Sequence, residues 1–168
     1  MNLAQLGPRN GDNRAMNPSA GGVFTPDAFE TRAVQALREG GLRITSPRLH
    51  VIRKLSQSST ALTANQIHDQ ILADGDQVDL VTVYRILSTL MELHLVHHIG
   101  VVDAYTACDL ESHGNNTEHL ICTKCGSVQE LDAPGQALEA TRAQLQTLGF
   151  NPDQIKIEIT GECQKCHN

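Results

Sequence analysis

The chain has 168 residues, 40% of them hydrophobic but only 3% aromatic, with no Trp and a net charge of −6. This length holds one ordinary domain or two small ones, and any large core must be aliphatic. No apolar stretch approaches the roughly 18 residues of a membrane span, and no basic cluster leads into an apolar run as in a signal peptide. Five cysteines, an odd number, suit a reducing compartment better than a disulfide framework, so the cytoplasm is the expected location. The charge is divided unevenly. Residues 1–100 carry nine basic and nine acidic side chains, whereas residues 101–168 carry four and ten. Between Arg32 and Lys54 stand six basic residues against the single acid Glu39, a local excess that can attract phosphates.

Residues 1–24 are rich in Gly, Asn, Pro and Ser and predict a disordered arm. Thr25-Pro26-Asp27 opens a first helix through Phe29, Ala33, Val34 and Leu37 to a stop at Gly40-Gly41. A second starts at Ser46-Pro47 and is expected to bury Leu49, Ile52 and Leu55. Thr63 caps a third over Ala64 to Ala73, with Ile67, Ile71 and Leu72 inward. Asp79 caps a fourth from Leu80 to Leu93, whose Val83, Ile86, Leu87 and Leu90 keep helical spacing. Leu95–Ile99 and Ala104–Ala107 then read as a small hairpin around Gly100. Helices closed by a hairpin are the plan of a winged helix-turn-helix, so residues 25–107 are expected to bind double-stranded DNA.

Residues 108–168 differ in style. His119–Cys122 and Val128–Leu131 read as strands, Pro134–Leu148 as an amphipathic helix through Ala137, Leu138, Leu145 and Leu148, and Ile155–Thr160 as an amphipathic strand. The apolar strand faces of so small a unit favour pairing with a second copy. Two Cys-x-x-Cys pairs, Cys122/Cys125 and Cys163/Cys166, bracket the unit. Each two-residue spacer lets both sulfurs reach one ion from a tight turn, and four thiolates match the tetrahedral, soft-ligand preference of Zn²⁺ in a closed structural site. One structural zinc per chain is expected. In the fourth helix, Thr82, Tyr84 and Arg85 cannot all face the core held by Val83, Ile86 and Leu87. They project near its N-terminus, where a recognition helix meets the major groove. Arg48 belongs to the basic cluster and is a further candidate for DNA contact.

Three motifs occur in order: Gly41-Leu-Arg43-Ile-Thr45-Ser-Pro47-Arg48, Val81-Thr82-Val83-Tyr84-Arg85-Ile-Leu, and His119-Leu-Ile-Cys122-Thr-Lys-Cys125-Gly126. With the second Cys pair, they resemble the ferric-uptake-regulator family of bacterial metal-dependent repressors over about residues 27–166. The resemblance implies an α+β fold, with an N-terminal winged helix-turn-helix followed by an α/β dimerisation domain. It also implies a homodimer whose affinity for palindromic operators of metal-uptake genes rises when a regulatory metal binds near the hinge. Neither a membrane nor a small-molecule substrate is implied.

Cys108 stands outside both pairs, with His97 eleven residues before it, His113 five after, His119 eleven after, and Glu130 beyond the first pair. A mixed set with a thiolate favours Zn²⁺ over the harder Mn²⁺ or Fe²⁺. These positions resemble the sensing site of the zinc-uptake-regulator subgroup, so a second, regulatory zinc is expected. His113 and His119 compete for one place, or both bind. The iron and peroxide sensors of the family carry a His before the third helix, where this chain has Ala61-Leu62-Thr63-Ala64. An iron-, manganese- or peroxide-responsive repressor is nevertheless the alternative within the family. A zinc-stapled redox or interaction module without DNA binding is the alternative outside it. The sequence lacks the His-x-Glu of zinc deaminases and the His-Glu-x-x-His of zincins, which argues against an enzyme.

Overall fold

Short polar side chains open three of the first four helices, because each supplies an acceptor to backbone N–H groups that have no partner inside the helix. The computed structural model describes residues 24–108, 117–131 and 136–167. The expected N-terminal arm lies outside them, apart from Phe24. Thr25 Oγ1 accepts from Ala28 N at the start of α1, Pro26–Glu39. Helix α2 spans Ser46–Gln57, with proline in its first turn in place of a side-chain cap. Thr63 and Gln66 form a reciprocal capping box on α3, Ala64–Ala73. Asp79 accepts from Thr82 N at 2.8 Å to open α4, Leu80–Glu92.

The four helices share one aliphatic core. Phe29, Ala33 and Leu37 of α1 meet Val51, Ile52 and Leu55 of α2, Ile67 and Ile71 of α3, and Val83, Ile86, Leu87 and Leu90 of α4. Each large side chain contributes about 1.5–3 kcal/mol by leaving water. Two expected core positions are corrected. Leu49 is only half-buried, because it stands in the first turn of α2 and Val51 takes the inward place. Leu72 is exposed: Ile67 and Ile71 fix the inward stripe of α3, and the next residue is turned about 100° aside.

Strands β1 (Val96–Ile99) and β2 (Ala104–Ala107) form the antiparallel wing. Their connection is a 3₁₀ turn, Gly100–Val102, completed by Asp103 in the left-handed region at φ 48°. Leu62 exchanges both backbone hydrogen bonds with Tyr105, at 2.8 and 2.7 Å, and so adds a third line to the wing.

The second unit is a three-stranded sheet in the order β4-β3-β5, where β3 is Thr117–Cys122, β4 is Val128–Glu130 and β5 is Lys156–Gly161. Strand β3 pairs antiparallel with β4 and parallel with β5. Helix α5 covers Gln136–Thr147, and Gly149, at φ +70°, follows its end. Its expected start at Pro134 lies outside the described residues. The buried Glu118 carboxylate accepts from Leu138 N at 3.2 Å and ties the helix start to β3. Of the expected apolar face only Leu138 is buried; Leu145 is half-buried, while Ala137 and Leu148 are exposed because none of the described residues covers them. Ile155, just before β5, is buried and Ile159 within it is exposed, so the expected alternation is only partly used within one chain. A one-turn helix, α6 (Gln164–His167), carries the last cysteine. A Thr60–Ser127 bridge links the α2–α3 connection to the first Cys turn.

Candidate metal centres and nucleic-acid surface

The spacing of each Cys pair folds into a turn that brings both sulfurs to one side. At the first, Gly126 N donates to Cys122 O at 3.0 Å, and Gly126 takes φ 74°, which glycine adopts without steric cost. At the second, Cys166 N donates to Cys163 O at 2.8 Å. The four sulfurs all lie within 4.8 Å of one another, and Cys125 and Cys163 are 3.8 Å apart. Zn–S bonds of about 2.3 Å in a tetrahedron require about 3.8 Å between sulfurs, so the set fits Zn²⁺. Burial pushes the Cys122 thiol up, but N–H groups of Cys163, Cys125 and Lys124 outweigh it and bring it down to about 6. Cys166 is pushed up to about 12, first by its hydrogen bond with Cys163 and then by burial. Thiols this close cannot all ionise together without a cation between them. All four cysteines belong to the second unit.

A second cluster joins the two units. His97 lies on β1, His119 on β3 and Glu130 on β4, and one ligand atom from each lies within 4.8 Å of the others. His119 and Glu130 are direct cross-strand partners. His97 Nε2 is 3.1 Å from Glu130 Oε1, and the two imidazole centroids are 4.9 Å apart, edge to face. His119 is wholly buried and neither ring nitrogen has a hydrogen-bond partner. Burial, and then the neighbouring His97, push its pKa down to about 4, which keeps the imidazole neutral and its lone pair available. A buried nitrogen pair left unsatisfied costs free energy that coordination would recover, so this donor set also fits a divalent transition metal.

The remaining expected ligands are placed less directly. Cys108 is fully buried at the end of the wing but is not one of the three mutually close ligands. Its N–H donates to Leu95 O at 2.9 Å, continuing the wing ladder one step and setting Cys108 diagonal to His97. Arg32 of α1 donates to the Cys108 carbonyl. His113 lies outside the described residues.

In the first unit, Tyr84 and Arg85 are exposed along α4, as is Val81. Thr82 is half-buried, and its hydroxyl donates to Asp79 at 2.6 Å, so it serves the helix cap. Arg48 donates to Arg43 O, which places a second guanidinium at the head of α2. Sequence reasoning passed over Glu118, Lys156 and Glu158, whose partners lie 20 to 58 residues away.

A winged helix followed by a sheet stapled at a Cys₄ knuckle, with a His/Glu cluster where the two meet, defines a class of metal-responsive DNA-binding proteins. The chain belongs to the ferric uptake regulator family, whose sequence profile matches residues 39–160. A peroxide-responsive repressor, PerR of Staphylococcus aureus, is 28% identical over 136 residues, covering 81% of this chain and 90% of its own. A zinc uptake regulator complexed with zinc and DNA superposes with a TM-score of 0.77 at 28% identity, over 85% of this chain and 95% of that one. Holo XcZur superposes with a TM-score of 0.72 at 29% identity, over 84% and 98%. The fold class is shared with these structures, an N-terminal winged helix followed by a C-terminal dimerisation domain. The protein is therefore a metal-responsive transcription regulator and not an enzyme. Among the described residues no helix is long and apolar enough to cross a membrane.

Proposed function

We propose that the protein is a zinc-sensing repressor that binds palindromic operators of metal-uptake genes as a zinc-loaded homodimer in the cytoplasm. The observation that carries this reading is the convergence of His97 from the wing with His119 and Glu130 from the sheet. An ion held by these three, with Cys108 and His113 as further donors, would tie the DNA-binding unit, residues 25–107, to the dimerisation unit, residues 108–168. Binding free energy then becomes postural: the metal favours whichever arrangement brings the ligands together. The thiolate of Cys108 is what tilts the set toward zinc. Cys122, Cys125, Cys163 and Cys166 hold the structural zinc.

The dimer is supported by β5, the edge strand of the sheet among the described residues, together with exposed Ile159, Leu148 and Phe150, apolar side chains that a second copy would cover. Two recognition helices related by a two-fold axis match a palindrome, with Tyr84 and Arg85 reading base edges and Arg48 and Thr82 positioned toward phosphate. Thr82 would have to exchange its bond to Asp79 to reach DNA.

One observation favours a second reading. Among the described residues the three mutually close ligands are nitrogen, nitrogen and oxygen, a set that also suits Fe²⁺ or Mn²⁺. Operator binding titrated anaerobically against free Zn²⁺, Fe²⁺ and Mn²⁺, for the native protein and Cys108→Ser, separates the two. Zinc sensing requires activation at the lowest free concentration by Zn²⁺ and loss of that response in Cys108→Ser. Activation first by Fe²⁺ or Mn²⁺, with a normal Cys108→Ser, overturns it.

A further inference from the structure

Strand β5 reaches across to the wing through two side chains that no metal reading requires. Lys156 and Glu158, two residues apart, project from one face of the strand. Glu158 Oε1 accepts from Gly100 N at 2.8 Å, and Oε2 accepts from Val101 N at 2.9 Å. Lys156 Nζ donates to His98 O and stands 2.7 Å from Glu158 Oε1. Three backbone groups at and just before the wing turn, one carbonyl and two N–H groups, are thus held by one ion pair from the other unit. The Glu158 side chain is only 12% exposed in a single chain, so its shelter comes from its own wing and needs no partner. A β-carbon at Gly100 would stand 3.6 Å from both carboxylate oxygens, ordinary contact, so the carboxylate already fits closely over this backbone. Burial raises the Glu158 carboxyl, but Lys156 and the two N–H groups outweigh it and leave it below the usual carboxylate range.

We infer that Lys156 and Glu158 form a metal-independent latch that docks the wing turn on the dimerisation sheet and sets how much zinc is needed to lock the DNA-binding posture. The inference rests on the zinc-sensing reading above. Glu158 is the β-ladder partner of His119, so the latch and the His97–His119–Glu130 cluster close the same gap from adjacent strand positions. Two devices that favour one arrangement share the cost of reaching it. A stronger latch raises the fraction of metal-free protein already in that arrangement, and the apparent metal affinity rises by the same factor. Lys156 and Glu158 are positioning residues. They touch neither DNA nor the proposed ion.

Two substitutions attack opposite ends of the latch. Glu158→Gln keeps the shape but lacks the charge and turns an N–H₂ toward one of the two donors. Val101→Pro removes one donor and leaves the charge beside His119 untouched. The 3₁₀ turn survives it, because its own hydrogen bond runs from Asp103 N to Gly100 O, and proline suits a first helical turn. Both variants are measured as dimers loaded with structural zinc, by chelator-buffered Zn²⁺ titration of operator binding and by small-angle X-ray scattering without added zinc. Glu158→Gln is expected to raise the zinc midpoint about tenfold and Val101→Pro about threefold, the scale of one or two charge-assisted hydrogen bonds that are partly exposed. Operator affinity at saturating zinc should stay within about twofold of the native protein in both, and the zinc-free radius of gyration should increase. Unchanged midpoints in both variants overturn the latch. A shift in Glu158→Gln with none in Val101→Pro also overturns it, since Glu158 would then act through its charge on His119. If the native protein shows no zinc-dependent operator binding while both variants still expand in scattering, the zinc-sensing reading fails and the docking contact stands.

Discussion

The two clusters differ less in chemistry than in what they connect. The Cys₄ set draws its ligands from two turns of one small unit, and each turn is shaped by backbone hydrogen bonds that need no metal geometry. The His97–His119–Glu130 set draws one ligand from the wing and two from the sheet, so it is complete only when both units are docked. Ions in such sites do different work. Where the ligands belong to one unit, binding free energy is folding free energy; where they straddle two, it becomes coupling between postures.

The largest effect that would break this contrast is on the Cys₄ side. Cys122→Ser or Cys163→Ser is expected to lose the tightly bound zinc and unfold the second unit, because a sheet this small has only Ile121, Leu138 and Ile155 as large buried aliphatic side chains among its described residues. Zinc content by mass spectrometry and thermal melting check it. A variant that keeps its melting temperature and its dimer would show that the knuckle is not structural.

On the straddling side, His97→Ala, Glu130→Ala and Cys108→Ser should leave that zinc and the fold intact. Zinc-stimulated operator binding should fall about 10–100-fold for each, most for the thiolate. Loss of the fold instead would move this cluster into the same structural category as the knuckle. Loss in His97→Ala and Glu130→Ala but not in Cys108→Ser would reduce the sensing set to the three residues already close together.

Acid sharpens the contrast further. In protein freed of regulatory metal, the folded His119 has a pKa of about 4 against an ordinary 6.5. The unfolded chain therefore binds the proton first, so this group's contribution is present above about pH 6.5 and is lost as the pH falls toward 4. The loss is about 3 kcal/mol at most, read as the difference between native and His119→Gln unfolding curves across that range. A native protein as acid-sensitive as His119→Gln would mean that the imidazole is hydrated and not buried as found.

What the sequence discloses follows the same division between local and distant. Thr25, Thr63 and Asp79 cap helices within three residues of themselves, so their helices are legible to within a residue or two. Each Cys pair is likewise local. His97, His119 and Glu130 are legible as candidates by residue type, yet only the docking of two sheets shows that these three meet while Cys108 sits diagonal to His97. The Lys156–Glu158 contacts were hidden for a plainer reason. In an alternating strand, a charged residue reads as a solvent face, and its partners here are backbone groups 57 and 58 residues away. Helix α6, with four residues, is too short to show any period.

The smallest expected effect tests whether the straddling cluster controls posture alone. Arg85 is exposed on α4, where Val83 and Ile86 face the core, and it is not one of the three residues of the His97–His119–Glu130 cluster. Arg85→Ala should cost about 1–3 kcal/mol of operator affinity if it reads a base, with relaxed preference at one position of each half-site. If it meets only phosphate, the loss should be the same on every sequence and the salt dependence shallower. In either case the zinc midpoint should not move, because sites that share no partner act additively unless one of them changes the other's geometry. Operator binding measured for Arg85→Ala across a zinc titration, at two salt concentrations, reads both quantities together. A shifted zinc midpoint would mean that α4 itself changes shape on metal binding. The cluster would then be more than a clasp between two rigid units.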